Sequence, residues 1–122
     1  MGLEVGDVYW FEVFYPSTNE TERRPVLIYE IEGNNVILAS FAAISSSEIE
    51  DFDGKYDKWK SPIFMWKEAG LSKESFVKSN CLAQVEESAF LDKDFMGSLT
   101  RSDFRNAKRK INEFLDSGDD SW

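Results

Sequence analysis

The chain has 122 residues, of which 30% are charged and 15% aromatic, a composition that supports one packed domain and lies outside the disordered range. Its 23 acidic and 14 basic residues leave a net charge of -9, which repels phosphate backbones at long range, so nucleic-acid chemistry would need a locally positive site. With no histidine and a single cysteine, Cys81, imidazole catalysis, an intramolecular disulfide and a thiolate zinc site are all removed.

The opening MGLEVGDV has neither a basic nor an apolar leader region, and no apolar run reaches the length of about 18 residues that a membrane span requires. Neither secretion nor membrane insertion is expected, and the protein is placed in the cytoplasm. A Gly-Asp turn then leads into VYWFEVFY, where Tyr9, Phe11 and Val13 fall on one face and Val8, Trp10 and Phe14 on the other, a strand covered on most of both faces. The following PSTNETERR, dense in turn formers, reads as a long polar hairpin tip, and PVLIYEI as the returning strand with Pro25 at its start. EGNN turns the chain again into VILASFAAI, a third and largely buried strand over residues 36–44.

From residue 45 to 60 serines, acids and lysines take over, the composition of a surface loop whose acidic centre is 48–57. PIFMWKEAGL reads as a short strand or bend followed by a helical turn that ends at Gly70. SFVKSNCLAQV alternates with Val77, Cys81, Ala83 and Val85 on one face and predicts another strand over 75–85. In LTRSDFRNAKRKINEFLDSG, Phe104, Ala107, Ile111, Phe114 and Leu115 recur at helical spacing. Thr100 and Asp103 suggest a capping box and Gly118 a C-terminal stop, with Lys108, Arg109 and Lys110 read as a solvated side complementing the C-terminal dipole. One domain is therefore expected over 1–118 with an acidic, frayed tail at 119–122. Its class is α+β, mainly β: a small, strongly bent antiparallel sheet or barrel closed by a C-terminal amphipathic helix.

Taken in order, GDVYWFEV, RRPVLIYE, VILASFAAIS, WKEAGLSKESFVKSNCLAQV and GSLTRSDFRNAKRKINEFL resemble the MazF/PemK toxin family, the ribosome-independent endoribonucleases of type II toxin–antitoxin systems. The resemblance runs over residues 5–115 and is carried by Gly6-Asp7, Arg24-Pro25, Ile44-Ser45 and Leu99-Thr100. It implies an SH3-like barrel that dimerises, metal-independent and cofactor-free cleavage of single-stranded RNA to a 2′,3′-cyclic phosphate, and a cognate antitoxin laid across the groove. Charge gathers on the nonbridging oxygens in that reaction, so a fixed cation matters more than a histidine. By the same resemblance Arg24 is the charge stabiliser and proton donor, Ser45 stands where the family commonly has threonine, and Glu20 is the candidate base or orienter. Substrate contacts are assigned to Arg23, Thr18, Ser46, Trp59 and Trp66.

Read without the resemblance, the same residues have plainer roles. An arginine before a buried strand is ordinarily a surface charge or a carboxylate partner, residues 45–47 a polar strand exit, and Glu20 a solvated loop residue. Two other functions fit that reading: a noncatalytic interaction module that engages a partner through Trp59, Trp66 and the acidic loop, and an acidic decoy that imitates nucleic acid.

Overall fold

The computed structural model describes residues 2–16, 18–46 and 57–119, so the acidic loop expected at 48–57 lies outside the described residues apart from Asp57. Six strands form one antiparallel sheet: β1 (Asp7–Tyr15), β2 (Glu20–Glu32), β3 (Leu38–Ser45), β4 (Lys60–Ile63), β5 (Ser75–Glu86) and β6 (Phe95–Ser98), in spatial order β4-β5-β3-β2-β1-β6. Short 3₁₀ turns at Glu87–Ala89 and Asp92–Asp94 lead into β6, and the helix α1 (Arg101–Ser117) follows. None of the described helices is long and apolar enough to cross a membrane.

The sheet bends because each side buries its own apolar set. One side gathers Val8, Leu27, Tyr29, Ala42, Ile44, Val77 and the helix residues Ala107 and Ile111, while the other gathers Tyr9, Val13, Val26, Ile28, Ala39, Phe41 and Phe90. Leu27 and Ile28 are fully buried on opposite sides, as the two-residue strand period requires, and each contributes about 1.5–3 kcal/mol by leaving water. At the ends of the half-barrel the backbone after β4 packs directly on β6. A Cβ on Gly70 would stand 2.0 Å from the Met96 carbonyl oxygen and one on Gly97 2.6 Å from that of Ala69, so only glycine permits this approach.

Three local expectations change. β2 begins at Glu20, so the hairpin tip shrinks and Pro25 lies inside the strand; pairing with β3 starts only at Val26, and Pro25 therefore sits where β2 has β1 on one side and an open edge on the other. The even alternation expected over 75–85 is broken by a bulge: Lys78 faces Ala43 and Leu82 faces Ala42, leaving three extra residues in β5. Val77 consequently packs on one side of the sheet and Ala83 and Val85 on the other. β6, only four residues long and containing Gly97, is a strand that periodicity does not reveal.

The helix follows its caps. Thr100 accepts from the Asp103 backbone N–H at 3.2 Å, and Gly118 ends the helix in the left-handed conformation with φ 76°. Asp103 does not complete a reciprocal box; its buried carboxylate accepts from the Phe64 and Met65 backbone N–H groups at 3.2 and 2.8 Å, fastening the first turn of α1 to the end of β4. The basic residues do not complement the C-terminal dipole either, since the last turn contains none.

Candidate functional site

Where β2 and β3 part, two predicted residues line one depression. Val26 and Ala43 are the last β2–β3 pair, and Arg24 and Ser45 each stand two residues beyond it on their own strands. Both lie on the Val26, Ile28 and Phe41 side of the sheet, in keeping with the Arg24 guanidinium 5.3 Å from the Tyr15 ring centre. The parting opens a depression of about 240 Å³ lined by Arg23, Arg24, Ser45 and Ser46 together with Trp10 and Lys73. Ser45 is 7% exposed and thus presents its hydroxyl from a largely buried position.

The two arginines reach this depression from opposite faces of one strand. Arg23 turns toward Trp10, 5.9 Å from its ring centre, and bonds Asp94 at 2.6 Å. Arg24 bonds Glu22 at 2.5 Å, two residues back on the same face, while its Nε–H is shielded from solvent and donates to no acceptor among the described residues. An unmet buried donor costs roughly 1–3 kcal/mol, so this guanidinium is only partly satisfied by the folded chain.

Of the other predicted residues, Thr18 and Glu20 are exposed at the hairpin tip, with Glu20 facing Tyr15, and neither lines the depression. Trp59 packs edge-on against Phe114 at 5.3 Å and donates its indole N–H to Asp119 at 3.1 Å. Trp66 is half-buried against the core, so both tryptophans stand outside the depression. Asp119 also pairs with Lys58 at 2.7 Å, which ties the first residue of the expected tail to the fold.

Residues not anticipated from sequence complete the surroundings. Burial pushes the Tyr15 phenol up to about 12, with the Arg24 charge working against that rise and Cys81 and Glu22 adding to it. Tyr15 therefore keeps its proton at neutral pH and can donate but not act as a base. Burial likewise raises Cys81, opposed by the charge and hydrogen bond of Lys78 and by Arg24, so the thiol is no nucleophile at neutral pH. Arg23, Arg24 and Lys73 are the cations that line the depression, the two arginines each paired with a carboxylate, Asp94 and Glu22. Among the described residues no group of histidine, cysteine and carboxylate side chains could hold a metal ion.

A six-stranded antiparallel half-barrel with a single C-terminal helix is the MazF-like toxin fold. The Mycobacterium tuberculosis toxin MazF-mt6 superposes with a TM-score of 0.63 at 16% identity, covering 95% of this chain and 99% of that one. Deinococcus radiodurans MazF gives 0.63 at 12% identity, covering 95% and 98%, and the MazE–MazF structure from the same organism gives 0.64 at 12%, covering 95% and 97%. At such identities the likeness is one of fold. No protein-family model matches the chain, and no curated protein matches it.

Proposed function

We propose that this protein is an endoribonuclease toxin that cleaves single-stranded RNA without calling on a metal ion, acts as a homodimer and is neutralised by an antitoxin. The observation that carries the reading is Arg24, which lines an open depression together with Ser45 and holds an unsatisfied donor. In the reaction the ribose 2′-oxygen forms a bond to the adjacent phosphorus, the P–O5′ bond breaks, and a 2′,3′-cyclic phosphate and a 5′-hydroxyl result. Arg24 supports the charge on the nonbridging oxygens, Ser45 donates its hydroxyl, and Glu22, the carboxylate bonded to Arg24, is the one within reach of the 2′ proton; Glu20 stands too far along the hairpin for that role. Trp10, 39% exposed beside Arg23, offers an aromatic face to an unpaired base. The MazE–MazF neighbour from D. radiodurans supports an antitoxin as the partner, and exposed Trp10 and Phe14 supply apolar surface for it.

The deciding experiment is cleavage of a long unstructured RNA in the presence of a chelator, with mapping of the new 5′ ends. Discrete cuts are expected, and Arg24→Ala should slow them by about 10²–10³, the effect of removing one charge-stabilising donor. Cuts that survive the substitution, or none from the unaltered protein, overturn the assignment.

A further inference from the structure

The solvent side of α1 is charged against its own helix. The macrodipole favours acids in the first turn and cations in the last, yet the exposed Arg101, Arg105 and Arg109 occupy the first half, and Glu113 and Asp116 stand near the end. The three arginines follow one another at i, i+4 and i+8, a row of like charges that opposes helix formation. Among the described residues none of them forms an ion pair, although the chain carries 23 acids. Lys110 behaves differently, donating to the Lys58 carbonyl at 3.3 Å, and Lys108 is held with its ammonium 5.2 Å from the Tyr29 ring centre.

A shallow groove of about 580 Å³ runs along this face, with half-buried Phe104 and the aliphatic stems of Arg105 and Lys108 as its apolar floor. Glu113 and Asp116 close one end, and the groove shares no lining residue with the depression at Arg24. From residue 101 to 109 the cation row spans about 12 Å, two helical turns.

We propose that the exposed face of α1 is a docking site for an acidic segment of a protein partner, anchored by an apolar side chain over Phe104. Guanidinium forks match carboxylates in two-point contacts, and the charge of the row is opposite to that of the chain as a whole. A long nucleic acid fits less well, because the cation row spans only about 12 Å, too short a track for an extended backbone, and the floor at Phe104 matches an apolar side chain. The internal cost of the arginine row is the stability a protein gives up to keep a binding surface.

The test uses the full chain and a fluorescein-labelled synthetic helical peptide of glutamate and leucine, read by anisotropy at low ionic strength. The same peptide with glutamine for glutamate and a 2′-O-methyl oligoribonucleotide serve as comparison probes. A variant with Arg101→Gln, Arg105→Gln and Arg109→Gln should bind the acidic peptide at least about tenfold more weakly. It should also melt at a higher temperature than the unaltered chain, while Arg24→Ala binds the peptide as before. Equal peptide binding by the triple variant, or a lowered melting temperature showing that the arginines support the fold, overturns the proposal. So does an oligoribonucleotide that binds more tightly than the peptide and is lost in the triple variant. Because Arg24→Ala is read in parallel, failure here is separable from failure of the nuclease reading.

Discussion

Replacing Glu22 by glutamine should strengthen RNA binding. The carboxylate lies 2.5 Å from Arg24, with the Arg24 side chain 28% exposed and that of Glu22 49%, so the pair belongs to the surface class that contributes roughly 0–1 kcal/mol. A phosphate that takes Arg24 must break this contact, and removing the charge returns at most about 1 kcal/mol, a factor of about five in Kd. The retained carboxylate would also repel the bound phosphate; at about 6 Å in water that adds roughly 0.7 kcal/mol before salt screening. Together these terms predict a gain of about two- to tenfold at moderate ionic strength. The assay is anisotropy of a labelled 2′-O-methyl RNA, which cannot be cleaved, so any part Glu22 plays in proton transfer does not enter the reading. Unchanged or weaker binding would refute the reasoning and make Glu22 a residue that positions Arg24 instead of one that competes for it.

Two further outcomes follow from the same structure. Asp103→Asn leaves one of the Phe64 and Met65 backbone donors without its acceptor, so roughly 1–3 kcal/mol of stability should be lost, read as a lower urea midpoint at unchanged slope; an unaltered midpoint would show that the carboxylate does not fasten α1 to β4. For Tyr15 the folded protein holds the phenol proton more tightly than the unfolded chain does, so this contribution to stability is complete below the ordinary value of 10.0 and is lost as the pH climbs toward about 12. Phenolate absorbance should show a tyrosine titrating late that disappears in Tyr15→Phe, and an unchanged titration would remove Tyr15 from the buried surroundings of Arg24.

What the sequence disclosed depended on how local each cause was. The helix over Arg101–Ser117 was legible because its period, its Thr100 cap and its Gly118 stop all lie within the segment. The polar stretch Glu20 to Arg24 carries no strand signal of its own; it is a strand by virtue of β1 beside it, a cause located elsewhere in the chain. The bulge in β5 was hidden for the same reason, since an even alternation through Asn80 and Cys81 looks regular until β3 imposes its register. Arg24 and Ser45 stand out only through the family resemblance, and that both line one depression follows from where the Val26–Ala43 pairing ends, which no spacing between residues 24 and 45 dictates. The carboxylate on Arg24 was nevertheless within reach of local reasoning. Once the strand is known to extend past residue 22, the two-residue period alone sets Glu22 and Arg24 on one face.

The pairing of the arginines also changes what the net charge implies. At -9 the chain is a poor general ligand for RNA, and Asp94 and Glu22 already neutralise Arg23 and Arg24, so the depression exerts little long-range pull. A substrate must exchange two carboxylates for two phosphates, and the electrostatic gain is the difference between those contacts. If these are the phosphate contacts, single-stranded RNA should bind with a slope of log K against log salt of about -1.4, from roughly 0.7 per phosphate. The slope should fall to about half that in Arg23→Gln. A steeper slope in the unaltered protein would mean that more cations touch the backbone than this depression supplies, with Lys73 the first to test. A shallow slope leaves stacking on Trp10 and the shape of the depression to decide which RNA is held. On this account the acidity of the protein works as a filter, excluding ligands that offer charge alone.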